Sequence, residues 1–256
     1  MSERNRFHGY IICTSPRSGS TLLCDLLTST GIAGKPASHF HEPSIDEWLD
    51  DYNIEPASDM IPNEVRAMIF GAAIARGRGD TGVFGLRMQR HSFAFFIEQL
   101  GLFRNDRCND LERLTATFGK LLFIHLTRSD KIAQAISYVK AEQSGLWHVA
   151  PDGHEIERLA PPREPVYDGP LLNKQVKEFE MADHEWQNWF AEQEITPLQL
   201  TYDELSIDPI AVLRRVLTLL RLDPMKAEGV EPGTARLADS TNEDWSVRLR
   251  AELKIT

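Results

Sequence analysis

The stretch YIICTSPRSGSTLLCDLL, residues 10–27, carries the strongest structural signal in the chain. Apolar residues typical of a buried strand run into Thr-Ser-Pro-Arg-Ser-Gly-Ser-Thr, and an apolar pattern with helical spacing follows at once. A strand, a tight loop and a helix N-terminus together form an anion site, because the unpaired N–H groups of the first helical turn and the helix dipole both favour negative charge. The stretch therefore predicts a site for a phosphate-like group.

The individual loop residues suit this role. Gly19 allows the backbone to approach a ligand closely, and Ser18, Ser20 and Thr21 offer hydroxyl donors. Arg17 supplies a fixed positive charge whose forked geometry matches phosphate oxygens. The alternative is an ordinary strand-to-helix turn, in which Ser18 or Ser20 is only the N-cap.

Strand and helix patterns alternate along the rest of the chain. The run LLFIHLT (Leu121–Thr127) is apolar almost throughout, as parallel strands buried on both faces are, and further strands are predicted over residues 83–88 and 197–201. Helical spacing predicts helices over residues 20–30, 63–76, 91–102, 111–118, 130–142, 173–192, 209–220 and about 245–253. This alternation predicts an α/β fold with a mainly parallel central sheet and helices on both faces.

We expect one domain over residues 1–256, with irregular segments at about 37–62 and 145–171. Ligands bind to such sheets at the carboxyl ends of the strands. The loops after residues 14, 88, 127 and 201 should therefore surround one crevice.

The composition narrows the classes of partner. With 42% hydrophobic and 26% charged residues the chain is typical of a soluble globular protein, and its net charge of −10 argues against nucleic acid or an anionic membrane as a partner. The three cysteines lack metal-ligand spacing and indicate reduced thiols. The polar N-terminus lacks the apolar core of a signal peptide, and no run approaches the ~20 apolar residues of a membrane span. We expect a cytoplasmic protein.

The loop differs from the common P-loop, which requires Gly-Lys followed by Ser or Thr. The lysine is missing here, and the strand LLFIHLT is followed by Arg128 rather than by a carboxylate that could hold magnesium. A cation at this place indicates a metal-free site that holds a second anionic group. Ser137, about two turns into the next helix, could share that group with Arg128.

On these two motifs the chain resembles the sulfotransferases that use 3′-phosphoadenosine-5′-phosphosulfate (PAPS). Their 5′-phosphosulfate loop is similar to TSPRSGSTLL, residues 14–23, in its carbohydrate-sulfotransferase form. Their 3′-phosphate motif, an Arg closing a strand with a Ser in the next helix, is similar to HLTRSDKIAQAISY, residues 125–138. Within this superfamily the chain resembles the bacterial trehalose 2-sulfotransferase family through GIAGKP (31–36), GVFGLRM (82–88), HEWQNWFAEQEITPLQLTYDEL (184–205) and RLADSTNEDWSVRLR (236–250).

The resemblance implies a P-loop-like sulfotransferase fold and an enzyme that moves a sulfuryl group from PAPS to a hydroxyl of a carbohydrate or glycolipid. The transfer would be in-line and metal-free, with 3′,5′-ADP as the product. Arg17 and the backbone of residues 18–21 would bind the phosphosulfate, while Arg128, Ser137 and Arg236 would bind the 3′-phosphate. A homodimer is also implied.

Two positions depart from the family pattern. The proposed general base of the family is a Glu two residues after the proline of a Gly-x-Pro segment, and counting from Pro36 this position is Ser38. A sugar-contacting Gln just before the loop arginine is replaced by Pro16. Both departures weaken the case for trehalose as the acceptor.

A base must therefore come from elsewhere. SHFHEP, residues 38–43, offers His39, His41 and Glu42, and a histidine near its ordinary pKa of about 6.5 is a suitable base at neutral pH. We favour His41, with Glu42 as its orienting partner.

The two irregular segments are expected to form the acceptor pocket together with Pro36 and Ser38. Arg87, at the end of the strand over residues 83–88, could add charge to the same crevice. Sugars stack on aromatic faces, and the aromatic residues available there are Trp48, Tyr52, Trp147 and Tyr167. Packing of these rings against the core is the alternative.

Two other functions stay open on the sequence. A small-molecule kinase with a degenerate phosphate loop would need a magnesium-binding carboxylate after a strand. A non-catalytic protein of the same fold that binds PAPS or 3′,5′-ADP would account for the serine at position 38.

Overall fold

The computed structural model describes residues 6–107, 109–233, 237 and 239–254. Four parallel strands form a sheet in the order β2-β1-β3-β6, and an antiparallel hairpin, β4-β5, lies apart from it. The strands are β1 (Gly9–Thr14), β2 (Phe84–Gln89), β3 (Leu121–Thr127), β4 (Leu146–Val149), β5 (Glu155–Arg158) and β6 (Leu198–Thr201). The expected α/β fold with a mainly parallel sheet is confirmed.

The helices follow the strands as the alternating pattern predicts, with two additions. The additions are α2 and α8, which were not predicted, although Ser44 with Glu47 and Thr201 with Glu204 have the spacing of a helix start. The helices are α1 (Ser20–Ser29), α2 (Ile45–Tyr52), α3 (Pro62–Arg78), α4 (Arg90–Phe103), α5 (Asp110–Phe118), α6 (Lys131–Ser144), α7 (Gly169–Glu192), α8 (Tyr202–Ile207), α9 (Pro209–Leu219) and α10 (Ser240–Leu253).

The side chains of the central strands alternate between two core layers. Ile11 and Cys13 of β1 pack into a layer formed by α2, α3, α4, α5 and α7. Tyr10 and Ile12 pack into the opposite layer, formed by α1, α8 and α9. Successive strand residues point to opposite faces, so a strand covered by helices on both sides is apolar at every position. Helices therefore cover both faces of the sheet, as expected.

A third apolar cluster fixes α6 beside the sheet. Ile136 and Val139 of α6 are buried against Phe179 of α7 and Trp245 of α10. None of the helices in the described part of the chain is long and apolar enough to cross a membrane. Cys13 and Cys24 are buried free thiols, while Cys108 lies outside the described residues.

The two segments expected to be irregular are partly regular. The segment over residues 37–62 contains α2, whose N-terminus is capped by the Ser44 side chain and whose Trp48 is buried. The segment over residues 145–171 contains the hairpin β4-β5, whose pairing is interrupted by register shifts. α2 has eight residues and each hairpin strand has four, so both elements are too short to give a clear periodic signal. One domain over the whole chain stays a prediction.

The turn after α1 depends on two glycines with positive φ. Gly31 (φ 70°) and Gly34 (φ 80°) both occupy the left-handed region. A Cβ at Gly34 would lie 2.3 Å from the carbonyl oxygen of Val83 and 2.7 Å from that of Gly77, whereas a Cβ at Gly31 would meet nothing within 4 Å. The residues after Gly34 run beside β2, where the N–H of Arg87 donates to the carbonyl of Ala37 (2.9 Å).

We predict different costs for alanine at these two positions. Gly31→Ala should lower the free energy of unfolding by about 1 kcal/mol, the cost of a left-handed alanine. Gly34→Ala should cost about 3 kcal/mol, because two backbone carbonyls must also move. Urea unfolding of both variants measures the difference, and equal losses would contradict the close approach at Gly34.

Candidate active site at the carboxyl edge of the sheet

The loop after β1 turns the chain into α1 and is anchored at its base. Oγ1 of Thr14 donates to the carbonyl of Leu126 in β3 (2.8 Å), and Nε1 of Trp186 donates to the carbonyl of Thr14 (3.0 Å). Nε2 of Gln134, a fully buried side chain of α6, donates to Oγ of Ser15 (3.0 Å) and to the carbonyl of Pro16 (2.7 Å). The loop is therefore held from β3, α6 and α7.

The N-terminus of α1 is left without a side-chain cap from any described residue. Its N-cap is Gly19, with φ 87° and ψ 10°. The Ser18 hydroxyl is fully buried and hydrogen-bonded to that of Thr14, so it stabilises the loop. The alternative of an ordinary turn capped by Ser18 or Ser20 is therefore wrong. The first helical turn presents N–H groups of the kind that bind anions.

Arg17 is the central side chain of the loop. Its backbone is left-handed (φ 61°), a conformation that costs a non-glycine residue about 1 kcal/mol. Nε donates to Oγ of Ser137 (3.0 Å) and Nη1 to the carbonyl of Trp147 (2.7 Å). Burial, and then the positive charge of Arg128, lower the pKa of Arg17 to about 10, so the group stays charged at neutral pH.

Arg128 approaches the same loop from the end of β3. Its guanidinium carbon lies 4.5 Å from the centroid of the Tyr202 ring, and Nη1 donates to the carbonyl of Arg17 (3.4 Å). The sequence predicted that Ser137 pairs with Arg128, whereas the structure gives Ser137 a hydrogen bond to Arg17. The two motifs therefore converge more closely than the sequence indicated.

Both motifs line one open cavity of about 1150 Å³ at the carboxyl edge of the sheet. Residues that follow β1, β2, β3 and β6 all contribute to it, as the crevice rule predicts. Residues of β4, β5, α6 and α7 complete the wall. Arg236, expected at the 3′-phosphate, lies outside the described residues.

Arg87 lies inside this crevice and connects its walls. Nη1 donates to Oγ1 of Thr21 and Nε donates to Oγ of Ser38, each over 2.8 Å. The serine at the position of the family's base therefore contacts a cation rather than a titratable partner. Arg87 also links the start of α1 to the segment after it.

Of the three base candidates, His41 and Glu42 line the cavity and His39 does not. His41 and Glu42 are both exposed, with 3.6 Å between Nε2 and Oε1. His39 is only 5% exposed, and its Nε2 lies 3.1 Å from the carbonyl of Lys35. Burial lowers the pKa of His39 to about 4, despite that hydrogen bond. The expectation that His39 could act as the base is therefore wrong, because its ring is enclosed.

Two residues expected at the acceptor lie beneath the wall instead. Trp48 is 1% exposed, donates from Nε1 to the carbonyl of Glu42 (2.6 Å), and packs edge-on against Phe40. Pro36 is buried against Gly85 of β2. Both were expected to contact the acceptor, and burial makes that interpretation wrong.

Of the remaining aromatic candidates, one lines the cavity and two pack against the protein. Trp147 lines the cavity. Tyr52 donates to the carbonyl of His39 (2.8 Å), and Tyr167 packs against Trp245 of α10. For Tyr52 and Tyr167 the alternative interpretation, packing against the protein, is the observed one.

The sequence analysis missed a histidine at the cavity. His148 of β4 has Nε2 3.2 Å from Oγ1 of Thr21 and 3.4 Å from Oε2 of Glu157 of β5. Burial and the positive charges of Arg17 and Arg87 lower its pKa to about 4. Its strand has four residues, and its contact with Thr21 arises from tertiary packing that the sequence does not show.

The fold and site define an α/β protein with an anion-binding helix N-terminus and two arginines at one sheet edge, an arrangement typical of enzymes that transfer charged groups. The family model described as Stf0 sulphotransferase matches residues 9–252. The chain belongs to this sulfotransferase family, as the sequence motifs predicted.

Two relatives are similar over nearly their whole length. Trehalose 2-sulfotransferase of Mycobacterium tuberculosis (strain ATCC 35801 / TMC 107 / Erdman) is 28% identical over 261 residues, covering 95% of this chain and 94% of the relative. Trehalose 2-sulfotransferase of Mycolicibacterium smegmatis (strain ATCC 700084 / mc(2)155) is 26% identical over 260 residues, with the same coverage. A solved sulfotransferase from Alicyclobacillus acidocaldarius is 14% identical, with a TM-score of 0.43 over 98% of this chain and 97% of that one. A likeness this distant carries no further argument.

The buried His39 predicts a loss of stability in acid. Its pKa is about 4 in the folded protein and about 6.5 in the unfolded chain, so below pH 6.5 the unfolded chain gains a proton that the folded protein does not. Stability should therefore fall from pH 6.5 to pH 4, by about 3 kcal/mol at most from this residue.

Urea unfolding of wild type and His39→Gln between pH 7.5 and 4.5 measures this contribution. Glutamine keeps a donor for the Lys35 carbonyl but does not titrate. The variant should lose less stability in acid than wild type. Identical pH dependence of the two proteins would contradict a buried neutral His39.

Proposed function

We propose that this sulfotransferase moves a sulfuryl group from PAPS to a hydroxyl of a carbohydrate or glycolipid acceptor and leaves 3′,5′-ADP. This proposal rests on the observation that two arginines line one cavity. Nη1 of Arg128 lies 3.4 Å from the carbonyl oxygen of Arg17. The charge of Arg128 also acts on the Arg17 side chain, and two cations that line one cavity favour a ligand with more than one anionic group.

The residues present fit such a donor. Among the described residues, the Arg17 side chain donates to two neutral oxygens, those of Ser137 and Trp147. Burial and the charge of Arg128 make the charged form of Arg17 less favourable, and an anion at this place would reverse that cost. Arg17 and the N-terminus of α1 would hold the 5′-phosphosulfate, and Arg128 with Ser137 the 3′-phosphate.

These residues supply the electrostatic part of an in-line transfer. When bound, PAPS supplies a sulfuryl group on a phosphate leaving group. Arg17 and the N–H groups at the start of α1 would stabilise the negative charge that grows on the departing 5′-phosphate. Arg128 would position the donor by its far end. A sulfuryl group carries less charge than a phosphoryl group, so fixed cations can suffice without a metal.

The acceptor side of the cavity supports a polyhydroxyl compound. Its wall carries several carboxylates, which accept hydrogen bonds from sugar hydroxyls and repel anionic acceptors: Glu42, Glu157, Glu178 and Glu185. The ring of Trp147 offers an apolar face beside them. The relatives named trehalose 2-sulfotransferases support a sugar, while Ser38 and Pro16 weaken trehalose itself.

We predict separate roles for the two arginines in ligand binding. Arg17→Ala should weaken binding of both 3′,5′-ADP and 5′-AMP at least tenfold, because both carry the 5′-phosphate. Arg128→Ala should weaken the binding of 3′,5′-ADP at least tenfold and the binding of 5′-AMP much less. Calorimetric titration measures both affinities, with Arg221→Ala, an exposed arginine after α9, as the control. Equal effects of Arg128→Ala on both nucleotides would contradict the assigned 3′-phosphate site.

Turnover distinguishes the proposed enzyme from the other candidates. Incubation with PAPS and a host metabolite extract should give products heavier by one sulfo group, detected by mass spectrometry. Tight binding of 3′,5′-ADP without any product would favour a non-catalytic binding protein. Turnover with magnesium and ATP would favour a kinase. A homodimer and a cytoplasmic location stay predictions.

A further inference from the structure

The hairpin β4-β5 carries a histidine and a glutamate to the start of α1. His148 and Glu157 are partners in the strand pairing, so their side chains leave the hairpin on the same face. Nε2 of His148 lies 3.4 Å from Oε2 of Glu157 and 3.2 Å from Oγ1 of Thr21. A histidine and an adjacent carboxylate thus line the cavity beside the first turn of α1.

This pair is linked by side-chain contacts to the position where the family pattern has its glutamate. Arg87 bridges Ser38 and Thr21 through hydrogen bonds of 2.8 Å each, and Thr21 in turn contacts His148. The imidazole is therefore connected to position 38 through two intervening side chains. Position 38 carries a serine, and a titratable side chain, His148, lies on β4 at the other end of this chain of contacts.

The arrangement of His148 is better defined than that of His41. The side chains of His41 and Glu42 are 52% and 57% exposed, and their closest approach is 3.6 Å. The side chain of His148 is only 22% exposed, and Glu157 lies 3.4 Å away. A histidine that acts as a general base needs an oriented ring within reach of the reacting hydroxyl. The low exposure of the His148 side chain and its contact with Thr21 restrict the orientation of its ring.

We propose that His148 is the general base for the acceptor hydroxyl and that Glu157 orients its ring and stabilises the protonated form. This assignment rests on the proposed function. The acceptor oxygen forms its bond to sulfur while its proton moves to Nδ1 of the imidazole, because Nε2 is the nitrogen that faces Glu157 and Thr21. The bond from sulfur to the bridging oxygen of the 5′-phosphate breaks, and the electron pair leaves with 3′,5′-ADP. His148 then releases the proton to solvent.

The charges around His148 link its basicity to the donor. The ionic groups that act on it are Arg17 of the loop, Arg87 of β2 and Glu157 of β5. With the two cations uncompensated, the imidazole is neutral and a poor proton acceptor. A bound anionic donor would compensate these cations and make the imidazole more basic. Proton abstraction would therefore be favoured only when the donor is in place.

His148→Gln tests the assignment, with His154→Gln as the matched control. His154 lies between the two strands of the same hairpin, is exposed and contacts Asp152. The assay follows 3′,5′-ADP release from PAPS, with trehalose as the probe acceptor in one arm and water alone in the other. His148→Gln should lower kcat about 10²–10³-fold with 3′,5′-ADP affinity changed less than threefold, and His154→Gln should match wild type.

Two further readouts separate a base from a structural residue. Added imidazole should restore part of the turnover of His148→Gly, because the small molecule can occupy the vacated space. Glu157→Gln should lower kcat about tenfold and shift the acidic limb of the pH–rate profile, since the carboxylate stabilises the imidazolium. If His148→Gln also loses affinity for 3′,5′-ADP, the rescue of His148→Gly by imidazole decides whether His148 is the base. Absence of rescue then overturns the assignment.

The possible failures are distinguishable. Wild-type turnover retained in His148→Gln overturns the assignment but leaves the proposed function intact. A 10²-fold loss of kcat in His41→Gln with a smaller loss of kcat in His148→Gln overturns the assignment and identifies His41 as the base. No release of 3′,5′-ADP by wild type with trehalose, with water or with the host metabolite extract overturns the proposed function, and this assignment with it.

Discussion

The site depends on one electrostatic constraint, which is that two arginines from different motifs meet at one edge of the sheet. Arg17 is partly withdrawn from water, has a left-handed backbone and lies near a second cation, Arg128. None of these features stabilises the free protein: burial penalises charge, like charges repel, and left-handed backbone is strained. An anion bound beside both arginines would offset the burial of charge and the repulsion, and its binding energy would exceed the cost of the strained backbone. Strain and charge concentrated at one loop are typical of functional sites.

The scaffold supplies the rigidity that this arrangement requires. The loop is fixed to β3 through Thr14, to α7 through Trp186 and to α6 through Gln134. Parallel strands bring the ends of β1 and β3 to the same edge, so residues 17 and 128 meet although they are distant in sequence. The hairpin then covers the loop, where Arg17 donates to the carbonyl of Trp147. The charged groups therefore need little reorganisation when a ligand binds.

The elements that could be predicted from the sequence are those whose signal is local. β3 is apolar at nearly every position because helices cover both its faces, and its bounds were predicted correctly. The anion loop was recognisable because glycine, hydroxyls and arginine follow a strand directly. Trp48 was misassigned, since its acidic segment does not reveal that the ring is buried. His148 was missed because the strands of its hairpin have four residues each and shifted register. Which side chains face a cavity depends on tertiary packing, which no local pattern contains.

The most direct test of the central claim is a crystal structure of the protein with 3′,5′-ADP bound. One molecule is expected in the crevice, with its 5′-phosphate at the N-terminus of α1 within hydrogen-bonding distance of Arg17. Its 3′-phosphate should contact Arg128 and Ser137. A nucleotide bound elsewhere, or one whose two phosphates contacted only one of the two arginines, would contradict it.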